Sequence, residues 1–186
     1  MYRMKKVILL MCSIVLFACK PGTNKDVAHI TNDDKTTTTY YIIRHADKDT
    51  IASAGNDPAL TEQGEARAQF WAEHLKNIDF DAVYSTDFNR TRSTAKPTAD
   101  ANGLDITYYE PSSLYSEKFL KETAGKNVLI VGHSNTITYL TNKLLGKERY
   151  KEIDESVYGN LYVVTIKKGH ARAELKNLNN WDMKKQ

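Results

Sequence analysis

The chain has 186 residues, 41% hydrophobic and 26% charged, which suits one globular domain and leaves little room for two. Its formal net charge of +3 matches Arg3, Lys5 and Lys6 near the start; without them basic and acidic residues are equal in number. The folded part therefore lacks a basic excess, and no nucleic-acid partner is expected.

The basic start leads into an apolar run, Val7 to Phe17, and then Ala18-Cys19. As a helix this run reaches about 16 Å, against a hydrocarbon core of about 30 Å, so it reads as the apolar part of a signal peptide rather than a membrane span. Leu16-Phe17-Ala18-Cys19 resembles a bacterial lipoprotein cleavage site, which implies removal of residues 1–18 and lipid attachment at Cys19. Cys12 would leave with the signal, so no intramolecular disulfide is expected. Lys20 to Thr39 is polar with no apolar periodicity and reads as a disordered tether spanning roughly 25 Å root-mean-square. The expected place is the bacterial cell envelope, with the lipid on a membrane and the domain, residues 40–186, clear of its surface.

From Tyr40 the pattern alternates strands and helices. Tyr40 to Ile43 is a short strand that stops at Arg44-His45. Thr61 is an N-cap candidate with Glu62 and Glu65 in the first turn, and Ala68, Trp71, Ala72 and Leu75 form an apolar helix face. Phe80 to Tyr84 returns to strand and stops at Ser85-Thr86-Asp87, where Asp87 is placed to cap a helix toward Asn102. Pro97 lies inside that helix and predicts a kink or an early break. Ile106 to Tyr109 is a further strand, and Ser116 is placed to cap a helix ending at Gly125. Val128 to Val131 is a buried strand running into Gly132-His133-Ser134-Asn135, and the next helix sets Ile137, Leu140, Leu144 and Leu145 on one side. Leu161 to Lys167 and Ala171 to Leu178, joined around Gly169, predict a hairpin. The whole predicts an α/β fold: three layers, α/β/α, with a mostly parallel sheet and an antiparallel hairpin at one edge.

In an open parallel sheet, ligands bind beyond the carboxyl ends of the strands. Three strands here end in Arg44-His45, in Ser85 followed by Arg90, and in His133-Ser134. Two arginines and two histidines meeting there would hold a tetrahedral dianion, because guanidinium forks match phosphate oxygens. A neutral histidine can attack phosphorus with its free ring nitrogen. Each piece alone is ordinary turn or surface chemistry. The histidines (His29, His45, His74, His133, His170) include no pair at the i, i+4 spacing of a helical zinc motif. Gly132-His133-Ser134-Asn135-Thr136 lacks the central serine of a hydrolase elbow.

Together and in order, Ile42 to Lys48, Asp57 to Gly64, Val83 to Thr94 and Val128 to Asn135 resemble the histidine phosphatase superfamily, with its phosphoglycerate mutase-like fold, and the small phosphohistidine-phosphatase-like branch in particular. The resemblance implies a phosphatase without metal or organic cofactor, acting on a small phosphorylated substrate or a phosphoprotein. It implies His45 as nucleophile and carrier of a phosphohistidine, with Arg44, Arg90, His133 and Ser134 around the phosphoryl oxygens. Arg92, two residues beyond the arginine slot, is left as surface or supporting. For the proton donor, Glu110 and Glu117 carry no matching motif, and Asp47 is preferred for its closeness to His45. Ala46 stands where the family usually has glycine; its methyl would strain a backbone that needs positive φ, but related branches accept alanine, and it reads as a mark of the subfamily rather than damage. The alternatives are a non-catalytic lipoprotein that binds phospho-ligands and a phosphoglycerate mutase, the latter at odds with an export signal and with the absence of long inserts.

Overall fold

The structure is a computed structural model and describes residues 36–51 and 55–181. The expected signal peptide, Cys19 and most of the expected tether lie outside the described residues. Six strands, β1 (Thr37–Arg44), β2 (Ala82–Ser85), β3 (Ile106–Tyr108), β4 (Asn127–Gly132), β5 (Asn160–Lys167) and β6 (His170–Asn177), form one sheet in the order β3-β2-β4-β1-β5-β6. The first four in that order are mutually parallel, and β5 and β6 close one edge antiparallel. Helices α1 (Glu62–His74) and α2 (Asn89–Asn102) cover one face; α3 (Glu117–Glu122) and α4 (Ser134–Leu145) cover the other. The expected three-layer arrangement is present.

Strand alternation sorts the core. Tyr40 and Ile42 of β1, with Val128 and Ile130 of β4, pack on Phe119, Leu120, Ile137, Leu140 and Leu144. Ile43, Leu129 and Val131 point the other way, onto Trp71, Leu75, Ala95 and Ala99. Thr61 and Ser116 cap α1 and α3 as expected, accepting from Gly64 N and Phe119 N. The hairpin turns through Lys168 (φ 52°) and Gly169 (φ 73°), the two positive dihedrals a tight hairpin turn requires.

Helix α3 stops at Glu122, short of the expected Gly125, and three further departures from expectation bear on the core and the site. The first strand begins at Thr37, inside the stretch read as tether, because β-branched threonines fit a pleated strand. Thr38 is buried and its Oγ1 accepts from Gly125 N at 2.8 Å. Helix α2 runs through Pro97 to Asn102, since burial of Ala95, Thr98 and Ala99 offsets the lost backbone bond. Its N-terminus is not capped by Asp87. Asp57, from a distant loop, accepts from Asn89 N at 2.9 Å, while Asp87 pairs with Arg92.

The arrangement of β1 and β4 matters most for the site. They are parallel neighbours, with Arg44 opposite Gly132, yet α1 leaves β1 on one face and α4 leaves β4 on the other. The chain thus parts on either side of a crevice at their carboxyl ends.

Candidate active site

His45 and His133 stand one residue past the paired ends of β1 and β4, and His45 N donates to Gly132 O at 2.9 Å. Their rings meet edge-on, with centroids 5.5 Å apart and planes at 65°, and the Tyr158 ring lies 5.9 Å from that of His45. Arg44 is the last residue of β1, and Arg90 lies in the first turn of α2, just past the end of β2. Helix α4 starts immediately after His133, and Thr136 Oγ1 accepts from His133 N at 2.9 Å. The first turns of α2 and α4 thus bring their partial positive charge to the same crevice. Arg44, His45, Arg90 and His133, expected together from three strand ends, do converge.

Nδ1 of His45 lies 2.8 Å from Ala46 O. A carbonyl only accepts, so Nδ1 carries the proton and the lone pair of a neutral ring sits on Nε2. Burial, with the charges of Arg44, His133 and Arg90, outweighs that hydrogen bond and brings the His45 pKa down to about 3. Burial together with Arg90, Arg44 and Lys48 brings His133 down to about 4. Both rings are neutral near pH 7, and such a ring can act as nucleophile or base through its free nitrogen. His133 Nε2 lies 3.0 Å from Thr86 Oγ1, which also bonds Thr91 Oγ1, so a hydroxyl pair fixes its orientation.

The arginines are held differently. Arg44 is buried; its Nη1 donates to the carbonyls of Asp154 (3.2 Å), Glu155 (2.9 Å) and Val157 (3.1 Å), and its Nη2 to Glu155 Oε2 at 2.7 Å. Its guanidinium lies 4.3 Å from the Tyr158 ring centroid, and that of Arg90 lies 4.5 Å from Phe88. Arg90 makes a long contact to Asp57, 3.4 Å, and burial lowers its pKa. The buried Nε atoms of Arg44 and Arg90 have no hydrogen-bond partner among the described residues. Unsatisfied buried guanidinium donors are costly unless an anion meets them. Ser134 Oγ donates to Glu155 Oε1 at 2.8 Å. Arg92 is tied to Asp87 and Asn89 and stays out of the crevice.

Asp47, expected as proton donor, is committed elsewhere. Both its oxygens accept from Arg67, at 2.6 and 3.4 Å, and its backbone carbonyl accepts from Thr61 N at 2.9 Å. Glu110 and Glu117 are exposed, Glu117 in the first turn of α3. Ala46 carries no strain, because Lys168 is the sole non-glycine with positive φ among the described residues. Its methyl packs on Leu60 and Ala68, and its N–H donates to Thr94 Oγ1 at 2.8 Å.

Sequence reasoning missed Glu155, Tyr158 and the Thr86–Thr91 pair. Beside Arg90, a hollow of about 380 Å³ is lined by Lys48, Asp49, Thr50, Asn56 and Pro58. Among the described residues no three of His, Cys, Asp or Glu gather as a metal site.

Comparison with known proteins finds likenesses in sequence over part of the chain and in fold over the domain. Residues 40–111 match the model of the histidine phosphatase superfamily (branch 1). "Probable phosphoglycerate mutase GpmB" of Citrobacter koseri is 33% identical over 72 residues, 37% of this chain and 34% of that protein. The chain thus matches about a third of the length of such relatives. Among solved structures, the protein histidine phosphatase SixA complexed with tungstate superposes with a TM-score of 0.62 at 19% identity, covering 77% of this chain and 99% of that one. Phosphoglycerate mutase from Bacillus anthracis superposes at 0.58 with 19% identity, covering 76% and 93%. Residues 40–111 thus resemble the histidine phosphatase superfamily (branch 1) in sequence, and the domain built around them has the phosphoglycerate mutase-like fold.

Proposed function

We propose that the protein is a phosphatase that hydrolyses a phosphomonoester or phosphoramidate through a phosphorylated His45. The observation that carries this reading is the His45 ring, which gives Nδ1–H to a carbonyl and keeps Nε2 unprotonated between His133 and two arginines. Nε2 attacks phosphorus, the ester or amide bond to the leaving group breaks, and water then attacks the phosphohistidine to release inorganic phosphate. The unsatisfied Nε atoms of Arg44 and Arg90 supply donors for the equatorial oxygens, where negative charge builds in the transition state. A fold relative holds tungstate, a tetrahedral oxyanion, which supports the same choice of ligand here. The hollow beside Arg90 gives the leaving group room.

Hydrolysis is preferred over mutase chemistry because the start of the sequence reads as an export signal, at odds with a cytosolic mutase. The export reading belongs to the same proposal. A chain cut before Cys19 and lipidated there would act in the cell envelope on small phosphorylated molecules or phosphoproteins. Mass analysis of the membrane fraction tests it, and an unlipidated chain beginning at Met1 would overturn it.

The catalytic reading is tested by phosphate trapping. Labelled aryl phosphate or phosphoramidate, quenched in base, should leave an acid-labile, base-stable label on the wild type and none on His45→Ala. Label on Ser134 or His133, or near-normal turnover by His45→Ala, would refute it.

A further inference from the structure

The segment between α4 and β5 crosses the mouth of the crevice, pinned by the three backbone carbonyls that accept from Arg44 Nη1. From it Glu155 reaches inward. One carboxylate oxygen takes Arg44 Nη2 at 2.7 Å, the other takes Ser134 Oγ at 2.8 Å, and Lys48 Nζ lies at 3.8 Å. The Glu155 charge also raises the pKa values of Arg90 and His133 against the burial that lowers both. The groups that would surround a phosphoryl dianion therefore already share a carboxylate.

Two anions cannot hold these donors at once, because like charges a few ångströms apart repel strongly in a partly desolvated site. We propose that Glu155 sets the affinity of the site for phosphoryl groups: its carboxylate competes for Arg44 and Ser134, yields when substrate enters, and returns as inorganic phosphate leaves. This rests on the phosphatase reading of the crevice. The geometry allows the exchange without unfolding the segment. The backbone carbonyls keep Arg44 anchored whether or not the carboxylate is bound, and the Glu155 side chain is 66% exposed, free to turn into solvent. Burial disfavours its charge, but Ser134, Arg44 and Lys48 outweigh that and leave its pKa below the ordinary range, so it competes as an anion near neutral pH. A site built only of cations would bind its product tightly; an internal anion speeds release.

The test is calorimetric titration of inorganic phosphate into full-length wild type, Glu155→Gln and Glu155→Ala, with KM for an aryl phosphate alongside. Both variants should bind phosphate at least tenfold more tightly, and KM should fall in step. Unchanged or weaker phosphate binding overturns the proposal. So does a hundredfold loss of kcat with unchanged phosphate binding, which would make Glu155 a proton donor instead. If wild type binds phosphate and the variants do not tighten it, Glu155 alone is misassigned. If none of the three binds phosphate, the phosphatase reading falls, and this proposal with it.

Discussion

Acidification should weaken this fold through His45, and replacing that one residue should remove a measurable share of the loss. In the unfolded chain a histidine titrates near pH 6.5. In the folded protein burial and the neighbouring charges hold His45 to about 3. Between these values the unfolded chain binds the proton and the folded one does not, so stability is complete above the unfolded pKa and drains away as pH falls. From pH 7.5 to 5.0 the cost is about 2 kcal/mol, set by the unfolded pKa once the folded value lies well below 5. His45→Asn keeps a donor for Ala46 O but cannot take up a proton. Urea denaturation of both proteins at pH 7.5 and 5.0, in buffers free of phosphate, should show wild type losing about 2 kcal/mol more than the variant. His133 and the carboxylates titrate in both and cancel. Parallel losses, within about 0.5 kcal/mol, would mean that folded His45 protonates as it does in the unfolded chain, and that burial and its cationic neighbours do not hold the ring neutral.

Arg90→Ala and His133→Ala should each lower turnover by about 10²–10³ while leaving a measurable remnant, since each removes one contact to developing charge; near-wild-type kcat/KM in either would take that residue out of the machinery. Gly64→Ala should destabilise by about 1–3 kcal/mol in urea melts and lower kcat as well, since overpacking is costly: a Cβ there would stand 2.1 Å from Asp47 O, and the loop bearing His45 must move to admit it. A Gly64→Ala protein equal to wild type in both measurements would show that the loop after β1 is not seated on α1.

The convergence of Arg44, His45, Arg90 and His133 was legible because each follows an apolar run that ends abruptly, and such endings in a parallel sheet share one edge. Caps at Thr61 and Ser116 were legible for a similarly local reason, a hydroxyl three residues before the N–H it accepts. The segment carrying Glu155 was not. Its sequence, Lys151 to Tyr158, has no period, and its hold on the site runs through carbonyls that every residue possesses. Nor could the capping of α2 by Asp57 be read, since that contact joins residues 32 apart. Arg67 offered a signal that went unused. It falls with Gly64, Ala68 and Trp71 at i, i+3, i+4 and i+7, so a charge sat in the buried stripe of α1 and required a partner.

That partner is Asp47, and the pair decides what Asp47 does. Arg67 and Asp47 side chains are only 5% and 18% exposed, and Trp181 covers the guanidinium at 5.2 Å. Removing one member of such a pair strands the other and typically costs about 3–5 kcal/mol, whereas neutralising both costs far less. If Asp47 only positions the loop after His45, Asp47→Asn and Arg67→Met should each destabilise strongly, and the double variant should recover most of the stability and turnover. A proton donor leaves a different trace. Its loss slows substrates with poor leaving groups far more than aryl phosphates, and no second change at Arg67 restores them. The ratio of alkyl to aryl phosphate turnover should therefore be the same in wild type and in the double variant. A selective loss of alkyl phosphate turnover in a stably folded Asp47→Asn protein would return Asp47 to the role of acid.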